Sequence, residues 1–432
     1  ISGSASVVFV IKPYTIPADA QVTLNFEGVN MTYNGKAIIP NGVNYTFNSK
    51  ALEKDIDYAI TKYEILEASG AYTTVWEKND AGQESGTLPT NAGTYKVTVV
   101  GLGNFTGENN ANKYIIEAME ITKDNIAKEL TAKVYNGNEQ TLTEEDLTKF
   151  IKVTLATGEY FLLPSELVVT YNTSQKRIDA GTYDFYITAK GNFKTNGQIS
   201  GTYIIEKKQI TSAGISFVWG DKVHEYEYTG VAHTPTVKVM DTTLNQEITG
   251  ITFGYENNLK VTWADGEVVA GAVIYVAEID NINYMLDKEG ERKEDKFTIK
   301  PVVLTSEAII VDGVIDVNFT GKPVNFEIVV SNSNLQTESK QLTFNTDYTF
   351  IYADSDGKEI NAPSEVGTYQ VVITATPNGN YTETKTVVFN ITAPDFADVK
   401  IKFDDAVYNG TAQKLFPTLT INGYTLVLDK DF

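Results

Sequence analysis

Alternation of apolar and polar positions runs through this chain from one end to the other. It is plain in Tyr95-Lys96-Val97-Thr98-Val99, in Tyr183-Asp184-Phe185-Tyr186-Ile187 and in Tyr369-Gln370-Val371-Val372-Ile373. A period of two predicts strands with one buried face. Few windows carry a helical period, so the class is all-β. Each of the three runs follows the same turn: Ala92-Gly93-Thr94-Tyr95, Ala180-Gly181-Thr182-Tyr183 and Val366-Gly367-Thr368-Tyr369, with a weaker copy at Ala270-Gly271-Ala272-Val273. The glycine is expected to supply a backbone conformation that a Cβ would forbid. In the weaker copy Val273 stands in the place of the tyrosine.

The turn and its strand are one of four features that recur in fixed order. The first is an aromatic followed by Asn or Thr and then Gly, at Tyr33, Tyr135, Tyr228, Phe319 and Tyr408. The second is an aromatic that closes a strand ahead of a polar hairpin, read at Trp76, Tyr171, Trp263 and Tyr352. The third is the Gly-Thr-Tyr strand. The fourth is Gly103-Asn104-Phe105, Gly191-Asn192-Phe193, Asn283-Tyr284 and Gly379-Asn380-Tyr381, before a closing strand such as Tyr114-Ile115-Ile116 or Tyr203-Ile204-Ile205. The period is about 90 residues, which marks a tandem-repeat architecture.

A tyrosine two residues ahead of a core position, as at Tyr95, Tyr183 and Tyr369, is the corner tyrosine of immunoglobulin-like sandwiches. The expected fold is therefore a series of immunoglobulin-like β-sandwich repeats: the last strand of a preceding repeat at 1–16, repeats at 17–118, 119–207, 208–301 and 302–393, and the first half of another at 394–432. Linkers are short and hold no Gly/Ser tract, which predicts restricted junctions and an elongated rod. Four repeats at about 3.3 Å per strand residue would span roughly 140 Å. Repeat 2 departs from the pattern at 142–151, where Thr143 before Glu144, Glu145 and Asp146 predicts a short capped helix.

Composition narrows the function more than it specifies it. The 432 residues carry a net charge of −21, with Arg177 and Arg292 the only arginines. Such a surface repels phosphate backbones and anionic lipid, which argues against nucleic acid or a membrane as the main partner. There is no cysteine, hence no disulfide framework and no thiol chemistry. No apolar run is long enough to span a membrane. A chain that starts without Met and breaks off within repeats at both ends is expected to be a window of a longer polypeptide.

Taken together, Tyr-Asn-Gly, Ala-Gly-Thr-Tyr, Gly-Asn-Phe-Thr-Gly and the closing Tyr-Ile-Ile-Glu resemble the MBG/YDG-type immunoglobulin-like repeats of bacterial surface proteins. The resemblance covers essentially the whole chain. It implies an extracellular, cell-surface location and a multi-repeat parent chain, and it brings no catalytic residues.

Candidate chemistry is sparse. His224 and His233 are the only histidines, too few for a zinc site or a nucleophile–base pair. Asp354-Ser355-Asp356-Gly357 opens like an oxygen-rich calcium loop, so Asp354 and Asp356 are the metal candidates and a structural calcium is considered; hairpin turn chemistry explains the same residues. Trp219, unique to repeat 3, is the candidate platform for a sugar. Gly93, Tyr95, Gly181, Tyr183, Gly367 and Tyr369 are structural. No cofactor and no enzymatic activity are expected. The reading is a stalk or fibre segment of a large prokaryotic cell-surface protein, a spacer that presents a distal domain. Its partners are neighbouring repeats of the same longer chain and other copies in a filament or surface layer. The alternatives are a direct glycan- or protein-binding module and an accessory region of a secreted polysaccharide-degrading enzyme.

Overall fold

The fold was analysed in a computed structural model that describes residues 3–17, 22–220 and 224–429. Strands dominate it, and among the described residues the only α-helix is Glu144–Leu147. The chain divides into two compact units, Ile1–Lys208 and Gln209–Phe432. The first holds repeats 1 and 2. The second holds repeats 3 and 4 and the described part of a fifth.

Every complete repeat has the same principal sheet. In repeat 2, Lys133–Val134 lies parallel to the closing strand Ile199–Glu206, which pairs antiparallel with Gly181–Ala189, which pairs antiparallel with Leu167–Tyr171. Repeat 3 repeats this order with Glu225–Glu227, Glu294–Lys300, Ala272–Ile279 and Ile251–Glu256. Repeats 1 and 4 use Glu108–Ile116, Gly93–Gly101 and Tyr58–Leu66, and Thr384–Thr392, Gly367–Ala375 and Tyr348–Ala353. A smaller sheet covers one face of each principal sheet. In repeat 4 it is Ile309–Asp312 with Val329–Asn332, and Ile309 and Val330 share one core with Val371, Ile373, Phe389 and Ile391. Residues of both layers likewise share one apolar cluster in repeat 1, where Leu24 and Val43 join Val97, and in repeat 3, where Phe217 and Val237 join Ile274, which makes these repeats two-layer sandwiches. The all-β tandem-sandwich expectation holds.

Strand register corrects three readings of the sequence. Tyr95, Tyr183 and Tyr369 stand opposite Tyr114, Tyr203 and Phe389; in repeat 3 the residue opposite Phe297 is Ala272, not Val273. Ile274 then falls with Val97, Phe185 and Val371, all essentially inaccessible. The core aromatic of the neighbouring strand is likewise Tyr63, Tyr171, Tyr255 and Tyr352, each opposite one of those four residues. Trp76 and Trp263 belong to the strands that follow. Alternation with intervening bulges hides such offsets, because both candidates are aromatic and both precede a hairpin.

The third correction concerns where repeat 1 starts. Tyr14–Thr15 pairs in parallel with Phe105–Thr106, as Met119–Ile121 does with Phe193–Thr195 in repeat 2 and Val302–Val303 with Tyr381–Thr382 in repeat 4. Ile16 is buried in the repeat 1 core. Residues 14–16 thus open repeat 1 and do not close a preceding one. The predicted helix in repeat 2 is present as Glu144–Leu147: Thr143 is its N-cap and Asp146 closes the capping box. Leu147, Phe150 and Ile151 anchor it in the core.

Candidate functional site

The first, third and fourth recurrent features, which look like independent turns in the sequence, meet where one repeat joins the next. Between repeats 1 and 2 only Glu117 and Ala118 separate the closing strand Glu108–Ile116 from the opening strand Met119–Ile121. Neither side has slack. The Glu117 N–H donates to the Met31 carbonyl at 2.8 Å, its carbonyl accepts from the Tyr33 N–H at 2.8 Å, and the Met119 N–H donates to the Asn192 carbonyl at 2.9 Å.

Asn192 holds the two repeats together. Its Oδ1 accepts the backbone N–H of Ala92 at 2.8 Å and its Nδ2 donates to Asn91 Oδ1 at 3.1 Å. The same turn is gripped from within repeat 1 by its corner tyrosine, whose hydroxyl donates to the Asn91 carbonyl at 2.9 Å. Beside this polar clasp, the Tyr33 ring packs edge-on against Phe193, with centroids 5.5 Å apart, and Tyr160 stacks on the same Phe193 at 5.7 Å. Burial raises the Tyr33 phenol above its ordinary pKa, and the charge of Glu166 adds to the effect. The Asn34 carbonyl accepts from the Ala156 N–H at 2.9 Å. Gly35, at φ +80°, faces Thr157 so closely that a Cβ would lie 2.9 Å from its Oγ1. This glycine needs both its conformation and its lack of a side chain.

Repeats 3 and 4 rebuild the same junction. The Val302 N–H donates to the Asn380 carbonyl at 3.0 Å, the Gln336 N–H to the Thr229 carbonyl at 2.8 Å, and Tyr228 packs edge-on against Tyr381 at 5.9 Å. Repeat 3 has no corner tyrosine, and residues 261–263 take its place. Thr262 fills the space in front of Gly271, 2.3 Å from where a Cβ would stand. Val261 packs on the core. The Val261 N–H donates to Asn380 Oδ1 at 3.2 Å, the role Ala92 has in repeat 1, and Trp263 Nε1 adds a bond to the Gly379 carbonyl at 2.9 Å. Repeat 4 presents Phe319 edge-on to Tyr424 of the fifth repeat at 5.1 Å.

The other residues singled out in the sequence take these places. Tyr183 and Tyr369 donate to the carbonyls of Asp179 at 2.7 Å and Glu365 at 3.0 Å, the same four-residue reach as Tyr95 to Asn91. The glycines beside them do not have the forbidden conformation that was expected. Gly181 and Gly367 lie outside the positive-φ region; Gly93 alone, at φ +159°, stands at the limit of the region that a side chain disfavours, with Ile65 Cδ1 3.1 Å from where a Cβ would be. At Gly367 the constraint is the Tyr369 ring, 3.2–3.3 Å from where a Cβ would be. Asp354 Oδ1 accepts the N–H groups of Asp356 at 3.0 Å and Lys358 at 2.9 Å, so its carboxylate closes a hairpin turn. Among the described residues no group of three His, Cys, Asp or Glu side chains is placed to hold a metal ion. Trp219 is half-buried; its Nε1 donates to Asp295 Oδ2 at 2.9 Å and its ring stacks on His224 at 4.4 Å, which occupies one face of the proposed sugar platform. His233 follows the Tyr228 turn and packs its ring on Tyr226 of the strand Glu225–Glu227, with centroids 5.5 Å apart, and burial lowers its pKa. No described helix is long and apolar enough to cross a membrane.

Sequence reasoning recognised the Gly-Asn-aromatic feature but not its role at the junction. The available signal was that Asn and an aromatic recur together, since a surface hairpin needs a turn residue and has no use for a buried ring beside it.

No protein-family model matches the chain, and comparison with curated proteins gives no match. Among solved structures, protocadherin gamma B2 extracellular cadherin domains 1–5 align over 89% of this chain and 79% of their own, at 11% identity and a TM-score of 0.19. Drosophila N-cadherin EC1-4 aligns over 84% and 96%, at 12% identity and a TM-score of 0.17. A Bacteroides ovatus mixed-linkage glucan utilization locus protein, SGBP-B, in complex with a heptasaccharide, aligns over 65% and 70%, at 12% identity and a TM-score of 0.12. Likenesses at these scores carry no argument about function.

Proposed function

We propose that this chain is a structural spacer of a large prokaryotic cell-surface protein, of the MBG/YDG repeat type and without catalytic activity, that presents a distal domain away from the cell. The observation that carries the reading is the repeated junction. At 1–2 and at 3–4 an Asn side chain of the later repeat binds a backbone N–H of the earlier one, beside an edge-on aromatic pair. A two-residue linker tied on both sides by backbone hydrogen bonds, from Glu117 to Met31 and Tyr33 and from Met119 to Asn192, next to a buried aromatic contact, fixes an angle; a tether that merely joins two modules needs neither. The acidic composition keeps such a surface soluble and discourages non-specific contact.

The test is relaxation and residual dipolar coupling measurement on residues 14–207. A spacer requires repeats 1 and 2 to tumble as one body with one alignment tensor. Two independent tensors would sink the reading.

A further inference from the structure

The outward faces of the principal sheets differ in chemistry, and one of them lacks charge. In repeat 1 this face carries Lys96 bound to Glu64 at 2.8 Å and Lys113 over the Tyr72 ring. In repeat 3 it carries Arg292 between Glu256 and Glu294 and over the Tyr275 ring. In repeat 4 the three long strands present only uncharged side chains outward. Register places Ile351 opposite Val372 and Val372 opposite Thr386, with Gln370 opposite Val388 and Thr349 opposite Thr374. Val388 is 58% exposed and Ile351 36%. Charges appear only at the rim, where Asp316 accepts from Asn390 and Glu359 closes the edge strand.

We infer that this face of repeat 4 is a lateral docking surface for the same face of a second copy of this chain. The argument is electrostatic. Two molecules of net charge −21 repel across most of their surfaces, and a face that brings no like charges together is where they can approach. A flat face of Thr, Val and Ile is also its own complement under two-fold rotation, which is what an isologous contact requires. Three strands about 4.8 Å apart and about 30 Å long offer roughly 400 Å² per copy. That lies at the low end for transient association. The contact is therefore weak in isolation and strengthened wherever copies are held side by side.

Sedimentation equilibrium of the 432-residue chain tests this, run up to millimolar concentration at physiological salt. The wild type should move from its 47.6 kDa mass toward twice that value, and more readily as salt screens the net charge. Val388→Lys, on the exposed strand Thr384–Thr392 beside the central strand Gly367–Ala375, should weaken association at least tenfold. Ile115→Lys, on the repeat 1 outer face and 52% exposed, should leave it unchanged. Circular dichroism confirms that each variant is folded. A wild type that stays monomeric throughout, equal association of wild type and V388K, or a mass change that appears only when a cello-oligosaccharide is added would each overturn the proposal.

Discussion

Asn192 Oδ1 accepts the N–H of Ala92 at 2.8 Å across a hundred residues of sequence and a repeat boundary. An N–H at the half-buried end of one sandwich is thus satisfied by the next. Stability is consequently shared between the two, as in solenoids whose units contribute interface energy as well as their own.

Asn192→Ala leaves that N–H without its acceptor and also removes the bond to Asn91. A loss of about 1–2 kcal/mol is expected in urea denaturation of residues 14–207. Asn192→Asp keeps an acceptor for Ala92 but sets a carboxylate against Asn91 Oδ1, so it should recover only part of the loss. Equal effects of the two substitutions would contradict the assigned geometry.

Tyr183→Ala removes a buried ring and its bond to the Asp179 carbonyl. The expected cost is about 3–5 kcal/mol. Trp76 reports on the first unit; Trp219 and Trp263 report on the second. Fluorescence with tryptophans of the other unit replaced by Phe should show the first transition displaced and the second unmoved.

Glycine substitutions separate conformation from space. Gly181→Ala should be tolerated within about 1 kcal/mol, because φ is ordinary and the nearest Tyr183 atom would be 3.9 Å away. Gly321→Ala should be severe: φ is +66° and a Cβ would lie 2.0 Å from the Tyr424 ring. Thermal melts of both variants decide it, and comparable losses would restore the strained-turn reading of the Gly-Thr-Tyr feature.

Acid should weaken repeat 2 through Asp146. Burial raises the pKa of this carboxyl, but bonds from Lys133 and from the Thr143 N–H and hydroxyl outweigh burial and hold it below the ordinary range. A folded value below the unfolded value of about 3.9 contributes stability in full above that pH and loses it as pH falls through the folded value. Chemical denaturation of residues 14–207 between pH 7 and pH 2.5 should show this decline, and Asp146→Asn should flatten it.

The all-β class, the repeat period, the corner tyrosines and the capped helix at Thr143 were legible because each rests on local pattern. Register in repeat 3 was not. Ala272 and Val273 are adjacent and both apolar, so only pairing with Phe297 tells which one replaces the tyrosine. The partners of Asn192 and Asn380 were equally hidden, since an Asn after Gly satisfies turn chemistry on its own and nothing local reveals a bond to another repeat. Trp263 was misassigned for a related reason: it mimics a core aromatic in spacing, while its Nε1 serves the carbonyl of Gly379.

The parallel pairing of opening and closing segments bears on mechanics. In each complete repeat a segment near the N-terminal side lies parallel to the closing strand: Thr32 beside Glu117, Lys133–Val134 beside Ile205–Glu206, Glu225–Glu227 beside Thr298–Lys300, and Val317–Asn318 beside Ile391–Thr392. Tension applied at the two ends of a repeat pulls parallel neighbours lengthwise in opposite directions. Their hydrogen bonds must then fail together in shear; a hairpin loaded from its open end would release them one at a time. A repeat wired this way resists lengthwise pulling more than a hairpin with the same number of bonds would, and it yields abruptly when it does.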